Sequence, residues 1–180
     1  MQDNKPKAKE ILWEIVDWIK VALLGFLAAL FIGNFIIVNA SVPSGSMMDT
    51  IPEKSRIVAF RLSYLMSEPQ RFDVVVFWYP DDEKVLFVKR IIGMPGERLD
   101  IRDGKVYING ADEPLDDSFV KGVPVGSSGT YNIPEGCYFM MGDNRNNSED
   151  SRLWKNTFLE KSKILGKVIF MYYPTLKSIK

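Results

Sequence analysis

Phe72-Asp73-Val74-Val75-Val76-Phe77-Trp78-Tyr79 runs into Pro80 and Asp81-Asp82-Glu83, then into Val85-Leu86-Phe87-Val88-Lys89-Arg90-Ile91-Ile92, and closes on Gly93-Met94-Pro95-Gly96. Both apolar runs are rich in β-branched and aromatic residues, and both stop at turn residues. They predict two strands joined at Asp81-Asp82-Glu83. Pro95-Gly96 suits the central positions of a type II turn. Downstream, Arg98-Leu99-Asp100-Ile101 and Lys105-Val106-Tyr107-Ile108 flank Asp103-Gly104, a strong hairpin signal, and Asn109-Gly110 is a further turn. Ile57-Val58-Ala59-Phe60, Tyr138-Phe139-Met140-Met141 and Ile164 to Tyr173 complete the expected strands. Many short strands with turn signals predict a mainly β fold of coiled antiparallel sheets. Residues from about 98 to 134 form a loop-rich insertion, with glycines and serines between 122 and 129 and Phe119, Val123, Val125 and Tyr131 able to pack.

Upstream, Val21 to Val38 reads VALLGFLAALFIGNFIIV, with no charge and one amide, Asn34. At 1.5 Å per residue about 18 residues reach about 27 Å, enough for a hydrocarbon core. Trp13 and Trp18 precede it at the interfacial level, and Leu12, Ile15, Val16 and Ile19 keep helical spacing, so the helix begins near Lys9. The organisation expected is a cytoplasmic or interfacial segment over 1–20, a transmembrane anchor over 21–38 and a β domain over 39–180. Lys5, Lys7, Lys9 and Lys20 precede the run and the next cation is Lys54, which orients the N-terminus to the cytoplasm. A cleaved signal peptide is the competing reading, with Val38-Asn39-Ala40 at the cut, but the apolar stretch exceeds a typical h-region.

The 23 basic and 23 acidic residues balance, without a basic run, which argues against nucleic-acid binding. Cys137 is the single cysteine and histidine is absent, so an intrachain disulfide and a structural zinc site are excluded, and no metal or other cofactor is expected. Without histidine a hydrolase cannot use a Ser-His-Asp or Cys-His arrangement, and a serine nucleophile needs another base, for which lysine is the documented variant.

Ser46, in Pro43-Ser44-Gly45-Ser46-Met47, and Lys89 are candidates for such a pair, and Ser44, two residues away, is alike. Ser46 read alone is a loop serine. Lys89 shares one strand face with Val85, Phe87 and Ile91, and Arg90 shares the other with Leu86, Val88 and Ile92. Both faces are apolar, so alternation does not say which cation is buried. Burial would lower the lysine pKa from about 10.4 and provide a neutral amine as base. Asp143, Arg145, Glu149, Asp150 and Arg152 crowd one loop, readable as a solvated turn or as a scaffold under a site. Met47 and Met48 read as core or as lining of an adaptable apolar pocket.

Four segments, in order after an apolar anchor, together resemble the bacterial type I signal peptidases, membrane-bound Ser-Lys endopeptidases. They are Pro43 to Met48, Arg71 to Phe77, Lys89 to Glu97 and Gly142 to Arg152. The single anchor and compact length are similar to the Gram-positive form, and the likeness runs from about residue 20 to about 174. The resemblance implies a signal-peptidase-type β fold at the bacterial plasma membrane, single-pass, with an extracytoplasmic catalytic domain and secretory preproteins as substrates. It implies Ser46 as nucleophile, Lys89 as general base, and Ser148 as the hydroxyl that orients the amine. Ser44 and the Ser46 N–H become the oxyanion donors, Asp150 and Arg152 brace the Ser148 loop, and Asp143 and Arg145 support it. Val42, Met47, Phe87 and Val88 become substrate contacts, in pockets for small residues. Asp49 stands where that family usually has Pro, and Asn146 where Asp is common. A Ser-Lys protease with another task, such as pilin processing or self-cleavage, and a non-catalytic membrane-tethered peptide-binding domain are the alternatives.

Overall fold

The computed structural model describes residues 8–65, 67–122, 124–125 and 128–179. Lys5, Lys7, Val123, Gly126 and Ser127, which the sequence reading used, lie outside the described residues. The chain divides into two units, 1–36 and 37–180.

The first unit is helix α1 (Ala8–Phe31), continued by a π-helical turn over Ile32–Ile36. Its large apolar side chains are exposed, Trp18, Leu24 and Phe35 among them. Glu10–Ile36 is long and apolar enough to cross a membrane. The one amide in the apolar stretch, Asn34, donates its Nδ2 to the carbonyl of Leu30, 2.9 Å away. A polar group in hydrocarbon needs such an internal partner.

The second unit carries β1 (Ile37–Val42), β2 (Ser55–Phe60), β3 (Val74–Tyr79), β4 (Asp82–Gly93), β5 (Arg98–Arg102), β6 (Lys105–Ile108), β7 (Gly129–Asn132), β8 (Cys137–Met141), β9 (Leu159–Glu160), β10 (Ile164–Tyr173) and β11 (Lys177–Ser178). One sheet runs in the order β1-β2-β10-β3-β4-β8-β9, with β11 on β10, and a second runs β6-β5-β7. Every strand pair described is antiparallel.

Strand β3 shows why its sequence is an unbroken apolar run. Val74 and Val76 pack in one core cluster with Val42, Met47, Ile51, Ile57 and Met171. Val75 and Phe77 pack in another with Ile91, Tyr138, Met140, Trp154 and Leu159. A strand buried on both faces loses polar alternation. A third cluster, Ile92, Leu99, Ile101, Val106, Ile133, Phe139 and Met141, ties the small sheet to β4 and β8. The turns form as the sequence predicts. Gly96 has φ +76 with the Glu97 N–H bonded to the Met94 carbonyl, the type II arrangement. Asp103 (φ 51) and Gly104 (φ 75) close the β5–β6 hairpin.

Three local expectations differ from the structure. The apolar run 21–38 does not end as helix. Ile37 and Val38 open β1, opposite Phe60 and Ala59, and Val38 is buried. Hydropathy cannot separate the last turn of an anchor from a buried strand that follows it directly. Asp82 is already paired with Tyr79, so the β3–β4 turn tightens to Pro80-Asp81. The region 98–134 is built round a three-stranded sheet whose third strand, Gly129–Asn132, looked like loop.

Candidate active site

Ser44 is extended (φ −112, ψ 156) and leads into a single 3₁₀ turn, Gly45–Met47, whose three residues are buried. The Met48 N–H bonds back to the Gly45 carbonyl, and the N–H groups of Thr50 and Ile51 to the Met47 carbonyl. A one-turn element has no core of its own and must be held by neighbours. The 142–152 loop does so: the Asn144 N–H donates to the Ser46 carbonyl at 3.0 Å, and the Asn144 Nδ2 to the Gly45 carbonyl at 3.0 Å. Gly142 is needed where the two loops touch. A Cβ there would lie 2.2 Å from Ser148 Oγ and 2.4 Å from the Ser46 carbonyl oxygen.

Lys89 reaches this turn from β4, where it sits opposite Val75. Its Nζ is 2.7 Å from Ser46 Oγ, and the residue is 3% exposed. The amine also lies 4.9 Å from the centre of the Phe87 ring. Burial lowers the Lys89 pKa to about 8, against the opposing field of Asp150, Glu149 and Asp143. Near neutral pH a usable fraction is the free amine, within hydrogen-bond reach of a hydroxyl proton. Ser44 Oγ is 3.3 Å from Ser46 Oγ on the other side.

Of the charged residues of the 142–152 loop, Asp143, Arg145, Asp150 and Arg152 are structural partners, while Glu149 is exposed. Asp143 grips Arg90 through two bonds, Nε to Oδ1 at 2.9 Å and Nη2 to Oδ2 at 2.7 Å, and accepts from the Thr50 hydroxyl. Both partners are buried, at 1% and 2% side-chain exposure. Asp150 is fully buried and accepts from Arg152 Nε at 2.7 Å and from the Gly142 N–H at 3.0 Å. Arg152 Nη2 also caps the Arg145 carbonyl at 2.9 Å. Ser151, which the sequence reading passed over, bonds both ways with the Met140 backbone. Arg145 Nη1 lies 2.8 Å from Asp117 Oδ2, an ion pair by distance without hydrogen-bond alignment.

A cleft of about 490 Å³ opens over Ser46 and Lys89. One wall is Ser41 to Ser46 and the other Val85 to Lys89, with Glu53, Asn147 and Glu149 at the rim. Strand β8 pairs with β4 only at Arg90, Ile91 and Gly93, so Val85 to Val88 keep an unpaired edge on that side among the described residues.

The structure thus brings Ser44, Ser46 and Lys89 together and puts Val42, Phe87 and Val88 on the cleft walls. Two residues sit elsewhere than the resemblance implied. Met47 does not line the cleft: it is wholly buried in the core, where its sulfur receives the Asp143 N–H at 3.5 Å. Ser148 Oγ is buried against Gly142 without a hydrogen-bond partner, so no bond to the Lys89 amine is drawn. Asp143 pairs with Arg90, which comes from β4, and Arg145 with Asp117. A sequence shows that acids and arginines share a loop, but not which distant cation the sheet register delivers to them.

A serine hydroxyl and a buried lysine amine meet under a cleft on a β scaffold, and comparison with known proteins gives the family. The family model described as signal peptidase, peptidase S26, matches residues 15–173, and the chain belongs to that peptidase family. The chain is 34% identical over 190 residues to signal peptidase I S of Bacillus subtilis, covering 96% of this chain and 94% of that one. It is 33% identical over 160 residues to the probable signal peptidase I-2 of Synechocystis, covering 86% and 72%. A crystal structure of a signal peptidase I from Enterococcus faecalis aligns at a TM-score of 0.47 with 34% identity, over 56% of this chain and 97% of that one.

Proposed function

We propose that this peptidase removes signal peptides from secretory preproteins, cutting after small residues, with Ser46 as nucleophile and Lys89 as general base. The carrying observation is the 2.7 Å contact between a buried amine and a serine hydroxyl that line one cleft. The names of the relatives support the substrate class.

The substrate lies extended in the cleft and adds as a strand to the free edge at Val85 to Val88. Lys89 takes the Ser46 proton as Oγ attacks the scissile carbonyl. The Ser44 hydroxyl and the Ser46 N–H receive the developing oxyanion, an effect worth about 3 kcal/mol per donor in other hydrolases. The C–N bond then breaks, and Lys89 protonates the amine that becomes the mature N-terminus. In the second half, Lys89 draws a proton from water, which attacks the acyl-Ser46 ester; the C–Oγ bond breaks, Lys89 returns the proton to Ser46 Oγ, and the signal peptide leaves with its new C-terminal carboxyl group. Asp150, Arg152 and the Asn144 bonds hold the serine turn still during both steps.

The helix at 10–36 anchors the enzyme in the bacterial plasma membrane, once across, with the N-terminus inside and residues after about 40 outside. Sharing a surface raises the effective concentration of membrane-held substrate. External protease on intact cells should digest the catalytic unit and spare an N-terminal tag; the opposite pattern overturns this orientation. The direct test of function is incubation of purified full-length protein with a model preprotein. The mass of the product should place the cut after a small residue, and an intact preprotein rejects the reading.

A further inference from the structure

The described residues between Asp117 and Val125, 117–122 and 124–125, belong to neither sheet, yet they are fastened to both loops that build the site. Asp49, three residues after Ser46, accepts the Lys121 N–H on Oδ2 at 2.7 Å. Asn146, two residues before Ser148, accepts the Val125 N–H on Oδ1 at 2.7 Å. Asp117 lies 2.8 Å from the buried guanidinium of Arg145. Phe119 lies edge-on to Phe72 and 4.2 Å under the guanidinium carbon of Arg90, the cation that holds Asp143. The segment therefore bridges the nucleophile turn and the 142–152 loop from outside.

From this we infer that Asp49 and Asn146 are positioning residues, which use the 117–125 segment as a strap to fix the Ser46 turn relative to the polar loop. The physical need is plain. The 3₁₀ turn has only a few internal bonds. A carboxylate or amide oxygen on a backbone N–H supplies the missing restraint. A turn displaced by an ångström lengthens the Ser46–Lys89 contact, and misplacements of that size cost orders of magnitude in rate.

The inference rests on the Ser46/Lys89 reading, and one set of proteins separates the two. Full-length wild type, Asp49→Ala, Asp49→Asn, Asn146→Ala and the double alanine variant are assayed on a model preprotein, with Tm and trypsin cleavage after Lys121 measured beside them. Inactive wild type would reject the peptidase reading itself. With active wild type, Asp49→Ala should lower kcat by about tenfold or more, with KM within about twofold. Asp49→Asn keeps the acceptor oxygen and should recover most of the rate. Both acceptors grip one strap, so the double variant should fall little below the worse single one, where independent effects would multiply. Trypsin should cut after Lys121 faster in the alanine variants. The strap is overturned by unchanged kcat in Asp49→Ala, by Asp49→Asn failing as badly as alanine, or by a loss that follows Tm alone.

Discussion

The two faces of β4 treat a buried cation in opposite ways. Arg90 and Lys89 are adjacent, point to opposite sides of the strand and are 2% and 3% exposed. Around Arg90 every need of a charged group is met: two bonds to Asp143, one to the Phe72 carbonyl at 2.7 Å, and the Phe119 ring beneath. Around Lys89 there is a serine hydroxyl and an aromatic ring, and the nearby carboxylates Asp150, Glu149 and Asp143 act only through their field. Guanidinium stays charged in either setting and the ammonium need not. One face therefore builds a permanent ion pair and the other holds an amine that burial can leave neutral. Burial alone does not make a catalytic group; burial without a counter-ion does.

The largest effect should come from altering the unpaired side. Ser46→Ala and Lys89→Ala should each lower preprotein cleavage by about 10⁴-fold or more while the thermal melt shows a folded protein. Lys89→Arg should fail equally, because it puts on this face the cation that suits the other one. Turnover near wild type in any of the three would erase the contrast.

Next comes the paired side. Asp143→Ala strands Arg90 in a dry site and should cost about 3–5 kcal/mol of stability, read from denaturant unfolding. Replacing both partners by apolar residues of similar size should recover much of that loss. A loss under about 1 kcal/mol for Asp143→Ala would mean that Arg90 finds another anion, and that its face is less specific than its geometry implies.

A smaller effect sharpens the comparison through pH. Lys89 falls from 10.5 to about 8 on folding, so between those values the unfolded chain binds more protons than the native one. Native stability should therefore rise by about 3 kcal/mol as pH climbs through that window, with the penalty fully present below it. The cleavage rate should rise with pH through about 8. Lys89→Met should remove the slope and melt no lower than wild type near neutral pH. If it melts clearly lower at every pH, Lys89 is a satisfied structural cation and its role as base loses its physical footing.

Much of the fold is written locally. The β5–β6 hairpin is present in Asp103-Gly104, the turn after β4 in Pro95-Gly96, and the double-sided burial of β3 in a run without alternation. Strand β1 was hidden because its first residues continue the apolar run of the helix. Strand β7 was hidden because Gly129-Thr130-Tyr131-Asn132 is short and half polar; it is held by pairing with β5 and by Tyr131 against Phe139 at 4.6 Å. The meeting of Ser46 and Lys89 was legible, since a chain without histidine has few ways to activate a serine. The places of Met47 and Ser148 were not, because a side chain two or three bonds long turns inward or outward according to the loop packed on it.

By itself the sequence determined an apolar helix before a β domain, most of the turn positions, and, for want of histidine, the exclusion of any Ser-His or Cys-His arrangement. Tertiary structure decided which of two adjacent cations would stand without a counter-ion. The deciding groups, Ser46 and Asp143, lie 43 and 53 residues from their partners. Their meeting depends on the register of β4 between β3 and β8, where a slip of one residue would exchange the two faces.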